Sequence, residues 1–112
     1  CDIHPLNNLR VLRYLVHELG VSSEQKNAWD GHWVAQGLQA IEASLTTDRA
    51  TGTFCHGDSP TLADCCLVPQ VANALRFDCP LDAYPTVQRI VAACEALPAF
   101  QQALPSRQPD AE

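Results

Sequence analysis

Apolar residues recur at helical spacing along most of this chain of 112 residues, and no strand-like alternation persists in it. Apolar positions that lie three and four residues apart share one face of a helix. Stripes of this kind fall within residues 5–19, 22–47, 61–77 and 85–97, separated by short polar, glycine or proline segments. Because the connections are short, successive helices should pack as neighbours. The pattern predicts an all-α bundle of four or five helices that forms one domain over residues 1–112.

Capping signals locate the starts of two of these helices. Ser22 and Gln25 have the spacing of a capping box, and so do Thr61 and Asp64. In such a box, each side chain binds the backbone N–H of the other residue at the beginning of the helix. We interpret the second pair as structural rather than catalytic. Pro69 lies in the apolar run that follows, and it is expected to kink that helix because proline has no backbone N–H to donate.

Glycine and proline mark the remaining boundaries. The first helix is expected to begin near Pro5, since proline suits a first helical turn, and to stop at Gly20. A short extra helix is expected over residues 99–104. The polar tail over residues 105–112 contains prolines and is expected to be irregular.

Composition argues against several classes of function. The formal net charge is −6, with one lysine, Lys26. Phosphate backbones attract basic surfaces, so a nucleic-acid partner is not expected. The chain has no apolar run of about 18 residues and no basic segment followed by an apolar one, so neither membrane insertion nor a secretory signal is expected.

Six cysteines raise the question of disulfides or a metal site. Cys65 and Cys66 are adjacent and therefore poorly suited to pair with each other, while Cys94 lies in a helical apolar pattern where a thiol acts as a small hydrophobe. The spacing of the cysteines and histidines is not that of zinc sites. We predict reduced thiols, no metal, and a cytoplasmic protein.

Three segments resemble a known family. Residues 2–9 read D-I-H-P-L-N-N-L, and residues 57–77 contain G-D-S-P-T-L-A-D followed by L-V-P-Q-V-A-N-A-L-R-F. The third combines residues 84–85 with residues 99–101 and 107–110. Together they resemble the C-terminal domain of zeta-class glutathione S-transferases, which include maleylacetoacetate and maleylpyruvate isomerases. The G-D-x-x-T-x-A-D motif is common to many glutathione transferases, whereas the two flanking stretches are more specific to the zeta class.

The resemblance implies both an activity and a missing part. Family members are glutathione-dependent cis–trans isomerases of small dicarboxylates, and the resemblance implies a homodimer. A thioredoxin-like N-terminal domain in this family binds glutathione and carries the motif that activates its thiol. No βαβ pattern of that kind occurs in this chain, which opens on Cys1 rather than methionine. We therefore expect the chain to be the helical half of a longer enzyme.

The resemblance assigns four residues to glutathione: His4, Asn8, Leu9 and Arg10. His4 and Asn8 are four residues apart, so they are expected on one face at the start of the first helix. Free backbone N–H groups and the positive end of the helix dipole favour an anion there. The alternative is that His4 is a loop residue and Asn8 a surface amide.

The resemblance assigns the dicarboxylate to two arginines, Arg10 and Arg76, and gives Arg76 a catalytic role as well. A guanidinium holds a carboxylate through two parallel hydrogen bonds, which lysine cannot match. Asn8 and Arg10 would lie about 200° apart on an ideal helix, so a shared pocket requires long reach, distorted geometry or a second subunit. The alternatives are a solvated Arg10 and an Arg76 that complements the end of a helix.

Two other functions stay open from the sequence. A broader glutathione transferase acting on α-haloacids or peroxides would share the same fold. A helical dimerisation or docking module without catalysis would also share it, although such a module would have no need of a carboxylate-binding arginine.

Overall fold

A computed structural model describes residues 2–111 and confirms the predicted all-α fold. The helices, in chain order, are α1 (His4–Asn7), α2 (Leu9–His17), α3 (Ser23–Thr47), α4 (Leu62–Arg76), α5 (Pro85–Glu95) and α6 (Pro98–Gln102). A 3₁₀ turn, Pro105–Arg107, follows in the tail that was expected to be irregular. Within residues 2–111, no helix combines the length and the apolarity needed to cross a membrane.

The capping box at the start of α3 forms as predicted. Ser22 Oγ accepts a hydrogen bond from the Gln25 N–H at 3.1 Å, and Gln25 Oε1 accepts one from the Ser22 N–H at 2.9 Å. Gly20, three residues after the end of α2, has a φ of 68°. Glycine adopts this left-handed conformation without the steric penalty that a β-carbon brings. The predicted stop at Gly20 is therefore confirmed.

The prediction of one continuous first helix is wrong, because the chain breaks at Asn8. The backbone of Asn8 is extended, with φ −69° and ψ 163°, and it separates α1 from α2. Its Oδ1 accepts the Val11 N–H at 3.1 Å, and its Nδ2 donates to the Pro5 carbonyl at 3.2 Å. A short polar side chain that competes for backbone groups favours a helix cap over a helix interior. Asn8 thus closes one helical segment and opens the next.

The core is centred on α3, the longest helix. Val34 and Leu38 are fully buried and one turn apart, and they belong to the same buried cluster as residues of α4 and α5. The following buried apolar residues form one cluster: Ile3, Val34, Leu38, Phe54, Leu67, Val71, Ala74, Tyr84, Val87, Ile90, Val91 and Cys94. The inclusion of Ile3 ties the beginning of the chain to the same core as α4.

Close contact between the chain start and α3 depends on Gly37. A β-carbon at this position would overlap the side chain of Ile3. Glycine allows such an approach because it presents no side chain. The residue just before α1 is therefore seated directly on the middle of α3.

The long connection between α3 and α4 is fixed by Asp64, in the first turn of α4. Its Oδ2 accepts the Thr61 N–H at 2.8 Å, and its Oδ1 accepts the Cys55 N–H at 3.0 Å. The first bond is the predicted cap. The second, which the sequence does not predict, fastens the preceding loop to the helix start.

Candidate functional site

The four residues assigned to glutathione lie around the junction of α1 and α2. His4 is the first residue of α1 and is exposed, and Asn8 is partly buried between the two helices. Leu9 and Arg10 are the first two residues of α2, and both are exposed. The premise that His4 and Asn8 share a helix face is wrong, because Asn8 is the cap of α2 and its backbone is not helical. The expected angle of about 200° between Asn8 and Arg10 assumes one ideal helix, and it does not apply because Asn8 lies outside α2.

The break at Asn8 creates a second helix start inside the predicted site. The first N–H groups of a helix have no acceptor within the helix. Asn8 Oδ1 takes the N–H of Val11, the third residue of α2, and leaves those of Leu9 and Arg10 without an intrahelical acceptor. Two backbone donors and the positive end of α2 therefore lie where the chain presents the exposed Arg10, which is an arrangement suited to a carboxylate.

Arg76 is the last residue of α4, and its side chain is exposed. The chain then turns sharply, since Asp78 has a φ of 57° and Cys79 N–H donates to the Ala74 carbonyl at 2.9 Å. The segment from Phe77 to Pro80 forms one wall of a cleft of about 300 Å³, with Gly31, Val34 and Leu38 of α3 opposite. Arg76 thus precedes a segment that lies against the middle of α3.

The two halves of the predicted site converge on the part of α3 around Asp30. The last residue of α1, Asn7, donates from Nδ2 to the Asp30 carbonyl at 3.2 Å. The neighbouring Leu6 carbonyl accepts the Trp29 indole N–H at 3.0 Å. On the other side, burial raises the pKa of the Cys79 thiol, and the nearby carboxyls of Asp30 and Asp78 raise it further. The segment after α4 also lines the 300 Å³ cleft together with Gly31, the residue that follows Asp30. Both the α1–α2 junction and the exit of α4 therefore lie against this part of α3.

Two clefts lie against α3, and neither is lined by all the predicted residues. The 300 Å³ cleft begins one residue after Arg76 and does not include His4, Asn8, Leu9 or Arg10. A larger groove of about 650 Å³ runs along the polar side of α3 and is lined by the following residues: His32, Ala35, Gln36, Gln39, Glu42, Ala43, Ala83 and Tyr84. Its amide-rich lining offers no arginine to a carboxylate.

Sequence reasoning missed two acidic residues of α3 that organise this region. Glu42 accepts the N–H groups of Thr86 and Val87 at 2.8 and 2.9 Å, and so caps α5 from another helix. Partial burial opposes its charge, but these two bonds and the nearby Arg89 lower the pKa of Glu42. Asp30 is fully buried, and burial raises its pKa although Lys26 acts in the opposite direction. The overlooked signal for Asp30 is its place four residues before Val34, on the buried stripe of α3.

Two tryptophans of α3 lie next to each other near the beginning of the chain. Trp29 and Trp33 lie edge to face with ring centroids 5.8 Å apart, and His32 lies edge-on to Trp33 at 4.8 Å. Both indoles are partly exposed and lie outside the main core cluster. Trp29, through its bond to the Leu6 carbonyl, supports the α1–α3 contact rather than the centre of the bundle.

Comparison with known proteins identifies the fold family. The family model described as glutathione S-transferase, C-terminal domain, matches residues 32–98. A probable maleylacetoacetate isomerase of Vibrio cholerae is 53% identical over 110 residues, which cover 98% of this chain and 50% of that protein. The chain therefore spans about half the length of the curated relative it matches.

Two solved structures resemble the chain closely. One, described as the holo form of maleylpyruvate isomerase, a bacterial zeta-class glutathione S-transferase, has a TM-score of 0.96 and 48% identity, and the match covers 100% of this chain and 53% of that one. The other is a maleylacetoacetate isomerase of Methylobacterium extorquens AM1 with bound malonate and glutathione, with a TM-score of 0.94, 37% identity, and coverage of 100% and 52%. The predicted zeta-class resemblance is confirmed, and the chain belongs to the glutathione S-transferase C-terminal domain family.

Proposed function

We propose that this chain is the helical, substrate-binding half of a glutathione-dependent cis–trans isomerase that acts on maleylacetoacetate or maleylpyruvate. The observation that carries the proposal is the convergence of the α1–α2 junction and the exit of α4 on the stretch of α3 around Asp30 and Gly31. This convergence brings the two segments assigned to glutathione and to the dicarboxylate towards one stretch of α3. A docking module would need neither the free helix start nor an exposed arginine beside it.

The α1–α2 junction fits the glutathione part of the proposal. Glutathione carries carboxylates, and the start of α2 presents two backbone N–H groups in the same turn as the exposed Arg10. The exposed side chain of Leu9, 61% accessible, offers an apolar contact beside them. The relative from Methylobacterium extorquens contains glutathione together with malonate, a small dicarboxylate, which supports a site for both ligands in this family.

In the proposed mechanism, Arg76 holds a carboxylate of the substrate through two parallel hydrogen bonds. Bound glutathione supplies a thiolate that adds reversibly to the substrate double bond, so that the resulting single bond can rotate before the thiolate leaves. Negative charge then develops on the substrate, and a fixed guanidinium close to it lowers the barrier. Arg10 would hold the second carboxylate, and His4, Asn8 and Leu9 would orient the glutathione backbone.

The proposal requires partners that residues 2–111 do not supply. A thioredoxin-like N-terminal domain would activate the thiol, and a second copy of the protein would complete a homodimer. The thiols of Cys55, Cys65, Cys66, Cys79 and Cys94 are free, which agrees with the reducing, cytoplasmic location that we propose for this glutathione-dependent enzyme.

Substitution of Arg76 in the full-length protein tests the mechanism. A charge-assisted hydrogen bond contributes about 2 kcal/mol, so Arg76→Ala is expected to lower kcat/KM for maleyl substrates roughly 30-fold. The kcat/KM of Arg76→Lys should lie between that of Arg76→Ala and that of the unsubstituted protein. Lysine keeps the charge but cannot form the two parallel hydrogen bonds. Steady-state kinetics with maleylpyruvate and maleylacetoacetate would measure both.

Arg49→Ala provides the matched control, since Arg49 is also an exposed arginine but lies in the loop after α3. It is expected to leave kcat/KM unchanged. Equal kinetics for Arg76→Ala and the unsubstituted protein would remove Arg76 from the mechanism. Retained glutathione conjugation without any isomerisation of maleyl substrates would instead favour a broader transferase.

A further inference from the structure

Asp30 has an environment that an ionised carboxylate does not tolerate. The residue is fully buried, and neither of its carboxyl oxygens has a hydrogen-bond partner within the described structure. Lys26, one helical turn earlier, is the basic group that acts on it, but it does not reach either oxygen. A buried charge without a partner is so unfavourable that such a group normally takes up a proton instead.

The residue bonded to Asp30 also carries an acceptor without a partner. Asn7 is buried, and its Oδ1 has no hydrogen-bond partner even though its Nδ2 is bonded to the Asp30 carbonyl. The segment after α4 brings Asp78 and Cys79 to the neighbouring cleft, and neither of them donates to the Asp30 carboxyl. A proton on Asp30 would supply a donor at a place where two carboxyl oxygens and the Asn7 Oδ1 have none.

The site is closed to larger ligands. Each carboxyl oxygen of Asp30 exposes less than 1 Å². A basic side chain from another domain or a hydrated cation could reach these atoms only if α1 or the segment after α4 moved away from α3. Among the species that could neutralise Asp30, a proton alone requires no such opening.

From this geometry we propose that Asp30 takes up a proton in the folded protein and, as a neutral carboxyl, acts as a positioning residue that keeps the end of α1 seated on α3. Ionisation of Asp30 would loosen the contact between Asn7 and α3. The catalytic part of this inference rests on the proposed function, because the junction that follows Asn7 carries Asn8, Leu9 and Arg10. The protonation itself is independent of that function.

The sign of the pH dependence follows from burial, which raises the pKa of Asp30 above its ordinary value of 3.8. The folded form then binds the proton more tightly than the unfolded form. The stability gained from this proton is fully present below pH 3.8 and is lost as pH rises through the higher folded pKa. An Asp30→Asn variant stays neutral at every pH and should lack this loss.

Infrared titration of the full-length protein tests the protonation directly. The C=O band of a protonated carboxyl that is absent in Asp30→Asn should persist to higher pH than the bands of the exposed carboxyls. The matched control is Asp82→Asn, which removes an exposed carboxyl from the connector between α4 and α5 and should leave that persistent band in place. Loss of the Asp30 band together with the exposed carboxyls would overturn the proposal.

Enzyme kinetics test the positioning role separately. The ratio of KM values for wild type and Asp30→Asn should rise several-fold as pH passes the point at which the Asp30 band disappears, with little change in the ratio of kcat values. Taking the ratio cancels the ionisation of glutathione itself. A flat KM ratio with a persistent infrared band would refute the positioning role. Absence of isomerase activity in both proteins would count against the proposed function and leave the infrared result intact.

Discussion

Asp30 and Asp64 are both fully buried aspartates, yet their surroundings are opposite. The carboxylate of Asp64 accepts two backbone N–H groups, and these bonds outweigh the effect of burial, so that its pKa is lowered. Asp30 accepts none, and its pKa is raised. Burial by itself therefore does not determine the charge of a carboxyl, because the number of donors aimed at it decides which form is favoured.

The largest expected effect comes from removing the well-bonded member of the pair. Asp64→Ala would leave the N–H groups of Cys55 and Thr61 without acceptors and would detach the loop from α4. Each such loss is expected to be about 1–3 kcal/mol, so the free energy of unfolding of the helical domain should fall by about 3 kcal/mol. Urea unfolding followed by circular dichroism would measure it.

Two further variants provide comparisons for that measurement. Asp82→Ala removes an exposed carboxylate and should change the free energy of unfolding by less than about 0.5 kcal/mol. Asp30→Asn should be neutral or stabilising, because the amide carries no charge at any pH and keeps a donor at this buried position. An equal loss of the free energy of unfolding in Asp30→Asn and Asp64→Ala would show that hydrogen bonding does not distinguish the two aspartates.

Substitution of Glu42 should lower the free energy of unfolding less than substitution of Asp64. Glu42 caps α5 but is only partly buried. Water can replace some of the bonds that Glu42→Ala removes. We expect a loss of about 1 kcal/mol in the free energy of unfolding, the usual value for a helix cap. Gln39→Ala, an exposed substitution on the same helix, serves as the control and should have little effect. A loss as large as that of Asp64→Ala would contradict the dependence on burial.

The sequence predicted the features that depend on neighbouring residues. The boxes at Ser22 and Thr61 and the stop at Gly20 are signals within a few residues, and the structure contains each of them. The spacing of apolar residues predicted the all-α fold because neighbouring residues on one helix face are only three or four positions apart in sequence. Asn8 was misread because asparagine fits both an exposed helix position and a cap, and the pattern of apolar residues continues across the break.

The contacts that organise the candidate site are distant in sequence. Asn7 reaches Asp30 across 23 residues, and Glu42 reaches Val87 across 45. No local pattern identifies such partners, so the roles of Asp30 and Glu42 became apparent only in the fold. The assignments of His4, Leu9, Arg10 and Arg76 depend on family resemblance and stay predictions, because charge and spacing alone do not distinguish them from exposed surface residues.

The smallest effect concerns thiol reactivity, and it compares the two aspartates without unfolding the protein. Burial raises the pKa of Cys55 to about 12 and that of Cys94 to about 11, and in both the Asp64 carboxylate contributes to the rise. A thiolate is the reactive form, so both thiols should be alkylated slowly. Asp64→Asn removes the negative charge and should speed the labelling of Cys55, as measured by mass spectrometry of the native protein.

Cys79 is the corresponding probe for Asp30, since that carboxyl raises its pKa only when it is charged. A neutral Asp30 exerts no such field, so Asp30→Asn should leave the labelling of Cys79 unchanged at low pH. A difference should develop only above the pH at which the Asp30 infrared band disappears. If Asp30→Asn accelerated the labelling of Cys79 at every pH, Asp30 would be ionised throughout, and the contrast with Asp64 would be lost. If the difference in Cys79 labelling begins at the same pH at which the infrared band disappears, the charge of Asp30 acts on the segment that follows Arg76.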